Sequence, residues 1–418
     1  MGRKIFTIVA DERGVALPMA LITLVILTTL MLAFAVLAQT EPVIASNQMR
    51  VSQARALAES GFEYAVWALA AGNVPTPPSG TIANPMPSSP APAPFNGGTF
   101  VSVGPTGGFI VTVVNDPAIP PDLDVRQITA TGWTPTNDPT DLHTKAHRTI
   151  QAKVVGIPNI AGRAPCALCV KGELNVGGSA AINGTNTDPN CGGNNKYGTF
   201  TEGQTTTIGS PSIIGGAGGM ASNQGPTAFN GFLFKAAVLD SLKAIAKRNG
   251  TYFGPGYSGL VDGNGKALPG TYTGSVAFSS SNKVGNGVVF IDTTDGQNLV
   301  EGGTDTATMA NLDIHGNPFQ AGDFTGYIIV NGSLQISGNM RINGLVYAVN
   351  DLSYDGFGTG SINGLAVSAN MRDTSATSID SDALGNARVN FNCQNLTSPP
   401  FVGHPFNLVP GTYREISD

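Results

Sequence analysis

Charge is scarce in this chain. Asp, Glu, Lys and Arg together make up 12% of 418 residues and leave a net charge of −6, and no run of Lys or Arg follows Arg55. Phosphate backbones are held by a concentrated basic face, so nucleic acid is not an expected partner. Several motifs are also missing. No nucleotide-binding glycine loop and no Ser-His-Asp arrangement is recognisable. The acidic residues that recur in turns (Asp292 and Asp295, Asp351 and Asp355, Asp380 and Asp382) do not follow the 12-residue calcium-loop spacing, so solvated turns are expected and calcium is the secondary reading. Cysteines are only four: Cys166, Cys169, Cys191 and Cys393. In an exported chain an even count implies two disulfides, with three possible connectivities.

Glycine is abundant at 54 residues. Interleaved with Asn, Ser and Thr among Val, Ile and Leu, it predicts many short strands joined by tight turns. The other conspicuous feature is residues 15–38, which carry no charge. As a helix they would measure about 36 Å, enough to cross a bilayer with some tilt. A secretory signal peptide would have a shorter apolar core and a cut among the small residues of 33–38. A plain signal anchor held by Arg3, Lys4 and Arg13 also fits.

A third reading rests on resemblance. The run Glu12-Arg13-Gly14-Val15-Ala16-Leu17, the Leu- and Thr-rich helix after it, and Ala54-Arg55-Ala56-Leu57-Ala58-Glu59-Ser60-Gly61 resemble the start of type IV minor pilins, in particular the PilX-like N-terminal family. The likeness covers about residues 12–70. It implies a leader, residues 1–14, cut by prepilin peptidase after Gly14, and methylation of the new N-terminal Val15. It also implies a single-pass inner-membrane precursor that later joins an extracellular pilus through other pilins. Ordinary pilins have a glutamate where this chain has Met19. A carboxylate in lipid is costly unless paired, so its absence removes both a cost and a docking contact. Met19 therefore points to a minor, tip-proximal subunit.

The helix is expected to run over 15–70, with Ala54, Leu57, Ala58, Gly61, Phe62, Ala65, Val66 and Leu69 as one apolar stripe, Arg55 and Glu59 paired one turn apart, and Pro42 kinking or locally melting the rod. Residues 71–98, rich in proline, read as an extended linker. Strands at 99–103, 109–114, 126–131 and 148–155 form a small antiparallel sheet like a pilin head, with Gly107-Gly108 as a hairpin signal. Residues 158–418 then carry a repeat. Gly172-Glu173-Leu174-Asn175-Val176-Gly177-Gly178 with Ile182-Asn183-Gly184 recurs 160 residues later as Gly332-Ser333-Leu334-Gln335-Ile336-Ser337-Gly338 with Ile342-Asn343-Gly344, and Ile362-Asn363-Gly364 follows 20 residues on. The shared offset favours a parallel β-helix over an antiparallel sandwich. A helix at 232–248, ending near Asn249-Gly250, interrupts it. The expected class is α+β.

Cys166 and Cys169 lie on an apparent strand, where positions three apart face opposite sides, so they are not expected to bridge each other. Structural disulfides reaching Cys191 and Cys393 are expected, with a four-cysteine zinc site as the lesser reading. His143 and His147 read as a surface pair, and His315 and His404 stand alone. No spacing gathers a catalytic set, so the chain is not expected to be an enzyme. The implied function is pilus assembly with display of the β domain towards a glycan or other surface. A secretion-system pseudopilin and a β-helix protein acting on polysaccharide are the alternatives.

Overall fold

The computed structural model describes residues 16–416 except 73–77, 84–85, 87–88, 119–123, 142–144, 158–159, 187–194, 304–305, 373–378 and 398–405. It is of mixed α+β class, with 24% helix and 40% strand. Helix α1 (Ala16–Ala71) spans 56 residues and continues unbroken across Pro42. The melting expected there does not occur, because the missing N–H costs one hydrogen bond in a long run that supplies the rest. No residue of 16–53 is buried, whereas Ala54, Ala58, Gly61, Phe62, Ala65, Ala68 and Leu69 are.

That buried stripe lies on the antiparallel sheet of β1 (Asn96–Ser102), β2 (Gly108–Asn115), β3 (Val125–Thr134) and β4 (Ala146–Gly156), joined in chain order. Period-two alternation aims Val111, Val113, Ile128, Ala130, Ala152 and Val154 at the helix. The described part of 71–98 is not a free linker. Ile82, Met86, Ala91 and Phe95 enter the same core, and backbone bonds tie Ile82 to Ala68 at 3.1 Å and Ala91 to Val113 at 3.0 Å. Proline sets the path, but the isolated apolar residues between the prolines decide where it lies.

Beyond a single turn, α2 (Ile160–Arg163), come β5 (Cys166–Val170), β6 (Leu174–Gly178), β7 (Ala181–Asn183), β8 (Tyr197–Thr201), β9 (Thr205–Gly209), β10 (Ser212–Ile214) and β11 (Met220–Ala221). Helix α3 (Ala236–Asn249) follows, stopped by Gly250 in the left-handed conformation at φ 72°. It starts later than expected, because Phe232 and Phe234 are buried ahead of it and the Phe234 ring stacks on Tyr347 at 4.5 Å. Next are β12 (Tyr252–Phe253), a hairpin of β13 (Tyr257–Val261) and β14 (Ala267–Pro269), then β15 (Ser275–Phe278), β16 (Gly287–Ile291), β17 (Ala310–His315) and β18 (Phe324–Val330). The series continues with β19 (Gly332–Gly338), β20 (Arg341–Ala348), β21 (Leu352–Gly356), β22 (Ser361–Ser368), β23 (Ser381–Gly385) and β24 (Arg388–Phe391), and ends with α4 (Gln394–Thr397), β25 (Phe406–Leu408) and β26 (Arg414–Ile416).

From β15 to β24 the chain alternates strand by strand between two sheets of parallel pairs. One contains β12, β16, β18, β20, β22, β24, β7 and β10 in order, with β5, β8 and β11 joined beside β22; the other runs β15, β17, β19, β21, β23, β6, β9. The early strands β5–β7 thus stack onto the late ones. This explains the 160-residue offset: Ile314, Ile336, Tyr354, Ala383 and Val176 share one inward column, and Ile342, Ile362, Val389 and Ile182 another. Beside the second column Asn363 donates to Asn343 and Asn390 to Asn363, each at 3.1 Å. Gly344 and Gly364 of two Ile-Asn-Gly frames, and Gly326 in register with them, bend the chain at φ 144°, 156° and 149°.

Two expectations for 158–418 change. Residues 406–416 do not stay with the parallel sheets, since β25 and β26 return to pair with β4. Cys166 and Cys169 do bridge each other. Their Cα atoms are 5.7 Å apart, whereas three straight strand steps would span about 10 Å. Leu168 pairs with Ala366, so Cys166, two residues earlier, falls at the level of the corner glycine Gly364, where the chain bends. Cys393 is also disulfide-bonded, and Cys191 lies outside the described residues.

Candidate functional site: an uncovered apolar helix and an open polar face

The N-terminal half of α1 is apolar on every side. Over one 18-residue window its mean hydropathy is 2.7 with none of it buried, and Met19 is 66% exposed. Its few hydroxyls are satisfied within the helix: Thr23 donates to the Met19 carbonyl at 2.7 Å, Thr28 to Leu24 and Thr29 to Val25, each at 2.9 Å. Such a surface needs no water, as a lipid or helix-lined environment requires. Gly14 and Val15 lie outside the described residues.

The C-terminal half of α1 is seated by close approach. A Cβ on Gly132 of β3 would lie 2.0 Å from the Ala54 carbonyl oxygen and 2.4 Å from the Ala58 nitrogen. One on Gly61 would meet the Phe109 ring at 2.9 Å and a Val111 methyl at 3.0 Å. Glu59 takes no part in that contact; it pairs with Arg55 at 3.2 Å on the exposed side, where such pairs contribute little. The sequence stripe found the seat but missed Gly132, because no helical periodicity points to a strand glycine.

The two parallel sheets differ in what covers them. Strand β16 is buried on both faces, and α3 and α4 pack against its sheet. The other sheet alternates: β15, β17, β19 and β21 bury every second residue and present the rest outward. One outward column holds Ala277, Asp313, Gln335, Ser353, Asp382 and Asn175 in register. A trough of about 460 Å³ crosses it, bordered by Ser275, Asn311, Asp313, Ser333 and Gln335. No strand of this sheet contains Lys or Arg. Ser353 donates to Asp382 at 3.0 Å, and burial holds the Asp382 carboxyl above its usual range, with Asp355 adding to the rise. The face offers hydroxyl, amide and carboxylate groups for hydrogen bonding, and repels anions.

The remaining sequence candidates are committed elsewhere. Asp292 is fully buried, taking Lys243 at 2.9 Å, the Tyr252 hydroxyl at 2.8 Å and the Asn331 amide at 2.9 Å. Burial, then the neighbouring Asp292 charge, pushes the Tyr252 and Tyr272 phenols upward. This network fastens α3 over the β12 end of its sheet. Sequence reasoning missed it because its members are scattered over 243–331. Asp295 caps the Gln297 N–H at 3.0 Å, and Asp380 accepts from the Glu173 N–H at 2.7 Å. Among the described residues no group of three or more His, Cys, Asp or Glu is placed to hold a metal. His147 stacks on Trp133 at 4.6 Å, and His315 meets Asp313 at 3.0 Å. His143 and His404 lie outside the described residues.

No protein-family model matches the chain, and no curated protein matches it. Among solved structures it is similar to the competence-associated pilin ComZ from Thermus thermophilus, at 13% identity over 88% of this chain and 97% of that one, with a TM-score of 0.24. At that score the likeness carries no argument about fold or function, and the resemblance to PilX-like N-termini rests on the motif of residues 12–70 alone.

Proposed function

We propose that this chain is a minor, tip-proximal pilin-like subunit that places a β-solenoid at the surface of a type IV filament. The observation that carries the reading is α1 itself. One continuous helix of about 84 Å is uncovered and apolar over its first half and seated on a sheet over its second. Large exposed apolar surface marks a contact with lipid or protein. In the precursor the contact is the inner membrane; in the filament it is the helices of neighbouring pilins. Prepilin peptidase would free Val15, which is then methylated, and Met19 leaves out the usual carboxylate contact, which suits an end or minor position.

The two alternating parallel sheets are the sides of the solenoid's coil. Their polar face serves adhesion to a neutral or cationic surface such as a glycan, a structural role and not a catalytic one. Asp355 and Asp382 share that face, and a β-helix protein acting on polysaccharide is the competing reading. A pseudopilin of a secretion system would use the same helix with an exported protein as partner. The test is N-terminal mass spectrometry of the membrane-extracted protein. The expected first residue is a methylated Val15; an intact Met1, or a start near Gln39, overturns the reading.

A further inference from the structure

The sheet that seats α1 is extended by strands from residues 406–416. β25 and β26 both pair antiparallel with the outer edge of β4, with Phe406 opposite Gly156, Leu408 opposite Val154, Arg414 opposite Gln151 and Ile416 opposite Thr149. The connection between them stays bonded to β4: Val409 N–H donates to the Lys153 carbonyl at 2.9 Å, and Lys153 N–H to Thr412 Oγ1 at 3.0 Å. β4 ends where β25 begins. Everything from α2 to α4 is therefore an insertion between two neighbouring strands of the head.

Two side chains anchor this strap: Phe406 in the core under α1, and Val409, partly buried against the core of the parallel sheets. Phe406 is 3% exposed and belongs to the core that also holds Phe62, Leu69, Ala152 and Val154. A Cβ on Gly156 would lie 2.8 Å from its ring. Leu408 and Tyr413 are largely exposed, and the Arg148–Glu415 pair at 3.2 Å is at the surface, where ion pairs contribute little. An edge strand held by a ladder and few buried side chains is a low-stability unit. The described element before it is α4, whose Leu396 is 2% exposed in the core of the parallel sheets and whose Leu396 carbonyl accepts the Tyr327 hydroxyl; residues 398–405 between the two lie outside the described residues.

We propose that the C-terminal strap is a completeness latch: the head reaches its stable form only in a chain whose inserted β domain has been made and folded through α4. Strands β1–β4 are synthesised first, yet β4 keeps an open edge and the core lacks its Phe406 ring until residues 406–416 arrive. A chain cut short within the β domain, or one in which that domain fails to fold, carries an unfinished seat for α1. The latch stands on the strand pairing and not on the filament reading, so its test reads folding and not assembly.

Hydrogen exchange followed by mass spectrometry on the detergent-solubilised full-length protein, a variant ending at Thr397, and Phe406→Ala separates the outcomes. In the shortened variant, amides of β2–β4 and of residues 54–69 exchange at least about 100-fold faster, while those of β16, β18, β20 and β22 keep their full-length rates. Phe406→Ala gives the same pattern at about 10-fold or more, from loss of a buried ring, and Leu408→Ala changes neither region. Head amides that keep their full-length rates in both the shortened variant and Phe406→Ala overturn the proposal. So does an equal acceleration of both regions, which would make the strap a general contributor to stability.

Discussion

Gly344→Ala is expected to destabilise the parallel sheets by at least about 4 kcal/mol, a fall of roughly 10 °C in melting temperature for a domain of this size. Two penalties combine at this position. Its φ of 144° is open to glycine and strained for any L side chain. An added Cβ would also stand 1.9 Å from the Gly326 carbonyl oxygen of the next strand. That oxygen has little room to step aside, because the stack continues on both sides: a Cβ on Gly326 would meet the Gly287 carbonyl oxygen at 2.0 Å, and one on Gly364 the Gly344 carbonyl oxygen at 1.9 Å. The stack is backbone against backbone, so no rotamer change relieves it. Near-ultraviolet circular dichroism during thermal unfolding is the direct readout, and a shift below 2 °C would mean that the corner is not built as described.

The second large effect is at the seat of α1. Gly132→Val should cost about 3–4 kcal/mol in the head through overpacking and lost helix burial. Its Cβ would collide with the Ala54 carbonyl oxygen and the Ala58 nitrogen, both backbone, and would reach the Leu57 Cβ at 2.9 Å. The only relief is for the helix to lift, which uncovers Phe62, Ala65 and Leu69. Tyr64 and Trp67, stacked at 5.7 Å on that helix, supply a fluorescence signal for the lifting. Gly61→Ala is the control. Its Cβ meets the Phe109 ring and a Val111 methyl, side chains that can yield, so the loss should be under half as large.

These two glycines also show how far the sequence could be read. Gly344 was visible as part of the Ile-Asn-Gly frame, because stacked parallel strands repeat their glycine positions and the repeat is local. Gly132 was not, since its constraint comes from a helix more than 70 residues earlier in the chain. The same distinction runs through the whole molecule. Helix α1, the four head strands and α3 announce themselves through local period or composition. The closure of β4 by two three-residue strands some 250 positions later leaves no pattern, and neither does the Lys243–Asp292 pair. Ile82, Met86 and Phe95 fall in the proline-rich stretch that reads as a linker, yet each fills the head core. The bridge between Cys166 and Cys169 was misread because a straight strand was assumed where the chain turns a corner. For the candidate site, the apolar helix was legible in full, but the polar face was not. Its residues gather only when strands from 175 to 382 stack, with the early ones placed after the late ones.

As proposed above, the uncovered half of α1 would leave the membrane to pack among the helices of a filament. Shearing surface filaments from cells that express the full chain, and quantifying it against the main filament subunit, tests this most directly. The expected result is recovery in the filament fraction at a small ratio to the main subunit, lost when a charge is placed in the apolar half by Leu24→Asp. Retention of the full chain in the membrane fraction, with none in filaments, would contradict it.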